Sequence, residues 1–328
     1  MFSITAPGGN EIQIPATLQE DKQYFTIAQV KEAAEYYREN GYVVLRGGVS
    51  PEVCKAVRQE FEQKVKNYDG FLYRQTGGNP EKHRLNDKGF VMNPILNVQD
   101  VPTRSLGDFR GAALKAICAE QVGTFLQEVF GEPAKVVQTM YFEGNSETWA
   151  HQDTYYLDSE KVGDMAAAWY AVEDIQPGAG RFFVYPGSHK IDLAKNGGDF
   201  DVAFNHARYK TLIIDVINKN GLICTAPCLR EGDVLFWNAK TIHGSLKTTQ
   251  PSFSRSSLTA HFIPESHRFL QFQSRIKPLK NKDIMGWQVN HPKSLDRLGS
   301  RLVLAVETSF PKAFQFAKWL AVKALVTR

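Results

Sequence analysis

The chain has 328 residues, of which 43% are hydrophobic and 12% aromatic, and its net charge is +4. This length and composition predict one domain with a full core. The small charge and the mixing of basic with acidic residues argue against a nucleic-acid partner. No apolar run approaches the roughly 18 residues of a membrane span, and the N-terminus lacks a basic segment followed by an apolar stretch. Without C-x-x-C spacing, the cysteines indicate reduced thiols in a cytoplasmic, soluble protein: Cys54, Cys118, Cys224 and Cys228.

The first part of the chain is predicted to be a helical support, at about residues 26–131. Residues 1–25 before it are polar and are expected to form an arm or a short edge hairpin. Thr26 is a suitable N-cap and Asn40-Gly41 a suitable stop for the first helix. Ser50-Pro51 marks the start of the second helix. The predicted elements are helices at 30–39, 51 to about 68 and about 111–130, with a strand at 42–45.

Short β-rich runs separated by turns with Gly and Pro follow, at about residues 134–265. Such runs predict two packed antiparallel sheets with an open mouth between them. The expected fold class is therefore mainly β with flanking helices, built around a double-stranded β-helix of the jelly-roll, cupin-like kind. We expect the chemistry at the open mouth. The predicted strands are 135–142, 151–155, 165–172, 181–185, 212–215, 233–237 and 254–262.

A polar insert interrupts these strands between about residues 190 and 231. It contains Asn196-Gly197-Gly198-Asp199 and is long enough to act as a lid over the mouth. The alternative is a solvated surface loop.

The C-terminal segment, about residues 281–328, is predicted to be a helical extension. Residues 311–325 form an amphipathic helix with Pro311 in its first turn and with lysines beside apolar residues. A basic helix of this kind lies on an anionic membrane in some proteins, but packing on its own domain or across a dimer is commoner and is the prediction here. The expected state is a monomer or a homodimer.

A candidate metal site is formed by His151, Asp153 and His243. Two imidazoles and one carboxylate are the ligand set of facial-triad Fe(II) oxygenases. Residues two apart in a strand project to the same face, so strand 151–155 would aim the first two side chains at one point. His243 follows 90 residues after Asp153, at the end of an apolar run. A lone H-x-D pair is more often a surface pair or a satisfied core hydrogen bond, so the prediction depends on what accompanies it.

Arg255 accompanies it, twelve residues after His243 in the next predicted strand. An inward-facing guanidinium is a planar fork suited to a carboxylate. If no acidic residue of the chain pairs with it, its natural partner is the distal carboxylate of a small diacid whose other end chelates the iron. 2-Oxoglutarate has this shape.

Taken together, these motifs resemble the phytanoyl-CoA dioxygenase family of Fe(II)- and 2-oxoglutarate-dependent oxygenases. The resemblance runs from about residue 30 to about residue 265, and the motifs occur in the family's order. They are residues 39–45, 139–141, 151–153, 168–174, 180–190 and 232–255.

The resemblance implies roles for individual residues. His151, Asp153 and His243 would be the iron ligands. Arg255 and Ser245 would hold the 2-oxoglutarate carboxylate. The cosubstrate pocket would be walled by Trp169 and Met140. Two departures, Arg181 in place of a small or apolar residue and a short stretch between Met140 and His151, lie near the expected substrate mouth, so the family's acyl-CoA substrate is not carried over.

The candidate substrate contacts are less specific. Tyr155 and Tyr156 directly follow the metal pair, and one of them is expected to face the substrate. Arg181, Arg84 and Asn238 are further candidates, with packing or a surface contact as the alternative for each.

The predicted function is oxidation, in the first place hydroxylation, of a C–H bond in a small molecule, using Fe(II), 2-oxoglutarate and O2 and releasing succinate and CO2. Desaturation and ring formation use the same ligand set and stay open. Halogenation requires a small residue in place of the ligand carboxylate, and Asp153 argues against it. A non-catalytic binding protein on the same fold is the alternative from another class.

Overall fold

One large sheet forms the centre of the molecule. The computed structural model describes residues 1–193, 206–272 and 275–326. The strands of this part are β1 (Phe2–Thr5), β2 (Glu11–Ile14), β3 (Tyr42–Leu45), β4 (Leu72–Tyr73), β5 (Pro80–Glu81), β6 (Ile95–Leu96), β7 (Ala134–Phe142), β8 (Leu157–Ser159), β9 (Ala166–Ala171), β10 (Phe182–Val184), β11 (Val234–Asn238), β12 (His243–Ser245), β13 (Ser257–Pro264), β14 (Phe269–Gln271), β15 (Arg275–Lys277), β16 (Asn281–Ile284) and β17 (Trp287–Asn290).

Strand β13 lies in the middle of this sheet, antiparallel to β7 on one side and to β9 on the other. The strand order is β16-β17-β7-β13-β9-β11-β3, and β6 also pairs with β7. Opposite this sheet the strands are short: β10 pairs with β12, and β14 lies between β8 and β15. The two layers form a jelly-roll core of the predicted class.

Seven helices of the described residues flank the sheets: α1 (Val30–Asn40), α2 (Pro51–Glu60), α3 (Thr103–Ile117), α4 (Glu120–Phe130), α5 (His206–Lys219), α6 (Leu298–Ser309) and α7 (Pro311–Val326). Helix α1 ends at Gly41, whose φ of 76° lies in the left-handed region. A side chain at this position would also collide with His189 and Thr241, so glycine is required both for the turn and for the packing.

Alternation along the strands decides which layer each side chain supports. In β11, Val234 and Phe236 belong to the cluster that packs against the N-terminal helices. Leu235 and Trp237 belong to the cluster on the opposite face, between the sheets. Phe125 of α4 meets Phe236 at a ring-centroid distance of 4.3 Å, and burial of one such ring stabilises the fold by roughly 1.5–3 kcal/mol. The helices therefore hold the sheet from one side and leave its other face for the site.

Most of the predicted elements are confirmed. The strands predicted at 42–45, 135–142, 165–172, 181–185, 233–237 and 254–262 correspond to β3, β7, β9, β10, β11 and β13, and the helix at 30–39 corresponds to α1. The second helix continues from α2 through a π-helical turn at Phe61–Val65. The expected edge hairpin in residues 1–25 is β1 with β2.

The single helix predicted at about 111–130 is wrong, because α3 and α4 are separate helices. Ala119 has extended backbone (φ −60°, ψ 144°) and acts as the N-cap of α4. Its carbonyl accepts hydrogen bonds from the N–H groups of Val122 and Gly123, which start the new helix.

The strand predicted at 212–215 is also wrong, because these residues lie inside α5. Tyr209, Ile213 and Val216 are buried at helical spacing in a cluster with β-sheet residues. A short apolar run does not distinguish a strand from the buried face of a helix. This part of the predicted lid is therefore packed core, while residues 194–205 of the same insert lie outside the described residues.

The C-terminal extension differs from the predicted all-helical segment. Strands β16 and β17 form a hairpin, and β17 joins β7 at the edge of the large sheet. Helices α6 and α7 follow, and α7 confirms the helix predicted at 311–325. Neither these helices nor the others of the described chain are long and apolar enough to cross a membrane.

Candidate active site

His151 and His243 are brought together by a single antiparallel bridge. The N–H of His151 donates to the carbonyl of His243 at 3.0 Å, and the N–H of His243 donates back at 2.9 Å. His243 belongs to β12, which is held against β10 by pairing with Val184. The two imidazole rings consequently lie 4.4 Å apart between centroids, on the same side of the ribbon.

Asp153 reaches the two rings from a turn, which corrects the predicted strand at 151–155. Only His151 forms a bridge; Gln152 is extended, and a 3-10 helix begins at Asp153. One extended residue between them is enough to place both side chains on one face. The Asp153 Oδ1 atom lies 3.6 Å from the Nε2 atoms of both His151 and His243. The three ligand atoms lie within 4.8 Å of one another, so they surround one point.

Both histidines are held in the tautomer that a metal needs. The Nδ1–H of His151 donates to the Trp149 carbonyl at 2.8 Å, and the Nδ1–H of His243 donates to the Thr241 carbonyl at 2.9 Å. With the proton on Nδ1, the lone pair is on Nε2, which points toward Asp153. This is how histidine ligands are usually oriented in metalloproteins.

The protonation states of His243 and Asp153 favour cation binding. Burial lowers the pKa of His243 to about 4, so its ring is neutral near pH 7. Burial alone would raise the pKa of Asp153, but the neighbouring His243 and His261 outweigh it and hold this pKa well below its usual range. Neutral imidazoles and an ionised carboxylate are the forms that bind metals.

The second oxygen of Asp153 is fixed by two further side chains. The indole N–H of Trp237 donates to Oδ2 at 2.8 Å, and Nε2 of His261 lies 3.4 Å from the same oxygen. His261 is 3% exposed, and its Nδ1 has no hydrogen-bond partner in the described part of the molecule. Trp237 and His261 come from β11 and β13, so the central sheet orients the carboxylate.

Helix α5 holds the peptide between the two ligands. The Tyr209 hydroxyl accepts a hydrogen bond from the Gln152 N–H at 3.0 Å, and Tyr209 packs on Tyr155 at a ring-centroid distance of 4.1 Å. The sequence prediction missed this role of Tyr209. The available signal was the helical spacing between Tyr209 and Ile213, which are four residues apart, but the apolar run at 212–215 was interpreted as a strand.

The chain approaches itself closely at Gly244. A Cβ at this position would lie 2.6 Å from the Thr148 carbonyl oxygen and 2.9 Å from that of Trp149. Glycine between His243 and Ser245 therefore lets β12 pack against the segment that carries His151.

A cavity of about 760 Å³ opens onto this cluster, between the large sheet and the short strands. Its wall includes all three candidate ligands. It also includes four residues predicted to hold or enclose the cosubstrate: Met140, Trp169, Ser245 and Arg255. The Ser245 hydroxyl accepts the N–H of Thr148 at 2.7 Å, which fixes its position in the wall.

Arg255 is a buried cation without an acidic partner among the described residues. The residue is 2% exposed. Its Nη1 donates to the Gly180 carbonyl at 3.2 Å, while Nε has no hydrogen-bond partner. The guanidinium lies over the rings of Phe142 and Trp169, at 5.5 and 5.9 Å from their centroids. Burial lowers its pKa to about 10, so it stays charged near pH 7.

Of the candidate substrate contacts, only Tyr156 is found in the cavity wall. Tyr155 is 3% exposed and packs against α5 instead. Arg181 is also buried, and it donates to the carbonyls of Pro15 and Ile175, so it ties the N-terminal segment to the core. Of the two tyrosines, one of which was expected to face the substrate, the structure therefore places Tyr156 at the cavity, and it places Arg181 away from it.

Arg84 and Asn238 do not line the cavity either. Arg84 is on the surface, beside Glu81. The Asn238 side chain donates to the Gly163 carbonyl and accepts from the Lys240 N–H, so it shapes the turn after β11. The alternatives of surface contact and packing therefore hold for these two residues.

A family model described as phytanoyl-CoA dioxygenase (PhyH) matches residues 37–256. This match and the fold place the chain in the class of 2-oxoglutarate-dependent non-haem iron dioxygenases, which use Fe(II) and O2. The chain therefore belongs to the phytanoyl-CoA dioxygenase family, which confirms the resemblance stated above.

Relatives and solved structures agree with this assignment. The peroxisomal phytanoyl-CoA dioxygenase of Bos taurus is 22% identical over 270 residues, covering 77% of this chain and 74% of that protein. Phytanoyl-CoA dioxygenase domain-containing protein 1 of Danio rerio is 23% identical, covering 69% and 87%. The α-ketoglutarate-dependent epimerase SnoN from nogalamycin biosynthesis has a TM-score of 0.54 at 16% identity, covering 78% and 92%, and supports the fold.

Proposed function

We propose that the protein oxidises, in the first place hydroxylates, an unactivated C–H bond of a small molecule. In this reaction 2-oxoglutarate, O2 and R–H give succinate, CO2 and R–OH, with one atom of O2 entering succinate and the other the product. The observation that carries the proposal is that one cavity contains both a convergent His-Asp-His cluster and a buried arginine that has no acidic partner among the described residues.

The cluster suits iron by its donor set and its orientation. We assign His151, Asp153 and His243 as the Fe(II) ligands. Two imidazole nitrogens and one carboxylate on one face leave the opposite coordination positions for a keto acid and O2. The backbone carbonyls that hold both Nδ1–H groups keep the rings from turning away. When bound, the iron supplies the oxidising power that the side chains of the protein lack.

Arg255 suits the distal carboxylate of 2-oxoglutarate. In the described part of the chain, one carbonyl accepts from the buried guanidinium and its Nε–H has no partner, and an unsatisfied buried donor is costly. A carboxylate at this place would accept them in a charge-assisted pair. Ser245 offers a hydroxyl in the same wall, and Met140 and Trp169 enclose the space beside it. We assign these four residues to the cosubstrate.

The rest of the cavity is assigned to the substrate. Tyr156 lines it, and the ring of Trp149 lies 5.4 Å from that of His151. Phe182 stacks on His243 at 5.4 Å. These rings exclude water from the ligands and present an apolar surface to the carbon that reacts. Positioning that carbon and keeping the site dry is the contribution of the protein to the reaction.

Release of succinate is the direct test. Purified protein given Fe(II), ascorbate and 2-oxoglutarate should release succinate slowly without substrate and faster with the right member of a substrate panel. Mass spectrometry of the product then distinguishes hydroxylation, a gain of one oxygen atom, from desaturation or ring formation, a loss of two hydrogen atoms. A protein that binds 2-oxoglutarate and Fe(II) but never releases succinate would be the non-catalytic alternative.

A further inference from the structure

Helices α6 and α7 present an apolar surface to the outside. On α6, Leu302 and Val306 are 59% and 50% exposed, and Phe310 at its end is 65% exposed. On α7, Phe316 and Leu320 are 62% and 46% exposed. Packing of α7 on its own domain or across a dimer was expected, and these side chains face away from the domain. We call this set of five residues the apolar face.

The polarity of α6 is inverted relative to an ordinary surface helix. Its inner side carries Glu307, which is 2% exposed and accepts a hydrogen bond from the Tyr73 hydroxyl at 3.2 Å. Leu304 is the hydrophobic residue of α6 that packs on the core. Surface helices normally turn their apolar side inward and their charges outward. An arrangement that does the reverse indicates a second environment on the outer side.

The charges of these two helices are almost all of one sign. In residues 298–326 the only acidic residue is Glu307, and it is buried. The others are basic: Arg301 and Lys312, both exposed, together with Lys318 and Lys323. Basic residues beside exposed Phe and Leu side chains are the composition of helices that lie in the interface of an anionic membrane.

We propose that α6 and α7 dock on an anionic lipid surface through the apolar face and the exposed Arg301 and Lys312. A second copy of the chain is the competing occupant, but a symmetric dimer would place this surface against itself. Arg301 and Lys312 would then approach their own copies with no exposed acid of the two helices to answer them. A lipid surface supplies both the apolar depth and the negative charge.

The docked surface adjoins the cavity. The turn between β4 and β5 contributes Gln75 and Thr76 to the cavity wall. The same turn contacts α7, because the side-chain amide of Gln315 donates a hydrogen bond to Oδ1 of Asn79 at 2.8 Å. Docking would therefore place this rim of the cavity beside the lipid, which favours substrates that partition into membranes. This consequence rests on the proposed function, whereas the docking itself does not.

Sedimentation of the full chain with vesicles tests the docking independently of turnover. The protein should pellet with vesicles of phosphatidylcholine and phosphatidylglycerol, and far less with phosphatidylcholine alone. Val306→Asp combined with Phe316→Asp should reduce the bound fraction at least about tenfold, because two side chains lose apolar burial. Arg301→Glu should reduce it on the order of tenfold, because one attraction becomes a repulsion. High salt should weaken what remains.

Matched controls separate docking from general effects. Ile223→Asp changes another exposed apolar residue, 77% exposed, and Lys282→Glu changes an exposed lysine on β16. Both should bind vesicles as the unaltered chain does, and all variants should keep the same Tm. If the variants on α6 and α7 unfold, Arg301→Gln, which keeps every apolar residue, still tests the charge.

Three outcomes would overturn the proposal. One is the absence of vesicle binding by the unaltered chain. Another is equal binding to neutral and anionic vesicles that the substitutions leave unchanged. The third is a dimer in sedimentation velocity that Val306→Asp dissociates, without vesicle binding, which would make a second copy the occupant. Succinate release that persists while docking fails would leave the proposed function intact.

Discussion

Two buried arginines lie in contrasting surroundings in this molecule. Arg46, at the end of β3, contacts two buried carboxylates: it forms an ion pair and hydrogen bond with Asp233 and lies 3.8 Å from Asp21. It also donates to the Cys228 carbonyl at 2.7 Å. Arg255, in the cavity wall, has one carbonyl and two aromatic rings around it. The protein supplies the counter-charge for the first arginine and not, among its described residues, for the second.

The difference separates a structural from a functional cation. A buried charge is stable only when it is paired. The chain pairs Arg46 permanently, so this arginine contributes to folding. We propose that Arg255 is paired instead by a molecule that enters the cavity, and the three convergent side chains in the same wall indicate that this molecule also binds a metal. Four predictions break or sharpen this comparison.

Removal of a candidate ligand should have the largest effect. His243→Ala or Asp153→Ala should reduce succinate release by at least about 10³-fold, roughly 4 kcal/mol, because the iron loses one of three protein ligands. The assay is 2-oxoglutarate turnover with added Fe(II). His189→Ala, which removes a histidine outside the cavity whose ring donates to the Arg38 carbonyl, is the control and should retain activity. Full turnover by Asp153→Ala would show that the cluster does not bind the catalytic metal.

Loss of the structural arginine should appear in stability. Arg46→Ala leaves the Asp233 carboxylate buried without its cation and should lower the free energy of unfolding by about 3–5 kcal/mol. Urea unfolding followed by circular dichroism measures it. Arg255→Ala should lower the same quantity far less, since no described carboxylate loses a partner. An equal decrease in the free energy of unfolding in Arg46→Ala and Arg255→Ala would contradict the distinction between the two arginines.

Loss of the cavity arginine should appear in the cosubstrate requirement. Arg255→Ala should raise the KM for 2-oxoglutarate about 10–100-fold, equivalent to the roughly 1.5–3 kcal/mol of a charge-assisted contact, with a smaller change in Fe(II) affinity. Arg255→Lys should restore only part, because an ammonium lacks the planar fork. An unchanged KM would make Arg255 a structural residue after all.

Removal of the His261 contact to Asp153 should have the smallest effect. His261→Phe removes the ring whose Nε2 lies 3.4 Å from the Asp153 carboxylate and should weaken Fe(II) binding about tenfold. Equilibrium dialysis against Fe(II) without O2 measures the affinity directly. His267→Phe replaces a buried histidine outside the cavity and should leave it unchanged. If both variants bind Fe(II) equally well, His261 does not position Asp153.

The sequence was sufficient for residues whose role depends on spacing and strand alternation. His151, Asp153, His243 and Arg255 were predicted to converge, and the structure brings them to one cavity. Arg255 just precedes β13, which was predicted as a strand at 254–262, whereas the short strand β12 that carries His243 was not predicted.

The sequence was insufficient for residues whose role depends on how distant elements pack together. Tyr209 holds Gln152 across 57 residues of sequence, and no local pattern fixes that docking. His261 points to Asp153 only because the register sets β13 beside β9 and β7. Arg181 has a side chain that could bind a substrate, but it donates instead to the carbonyls of Pro15 and Ile175, and only the folded chain reveals these contacts.

We propose that Arg255 binds the distal carboxylate of the keto acid held at the His-Asp-His cluster. Anaerobic titration of the Fe(II)-loaded protein with 2-oxoglutarate and with 2-oxobutanoate, which lacks that carboxylate, tests it directly. The unaltered chain should bind 2-oxoglutarate about 10–100-fold more tightly than 2-oxobutanoate, and this ratio should fall close to one in Arg255→Ala. The same ratio in both proteins would contradict the account.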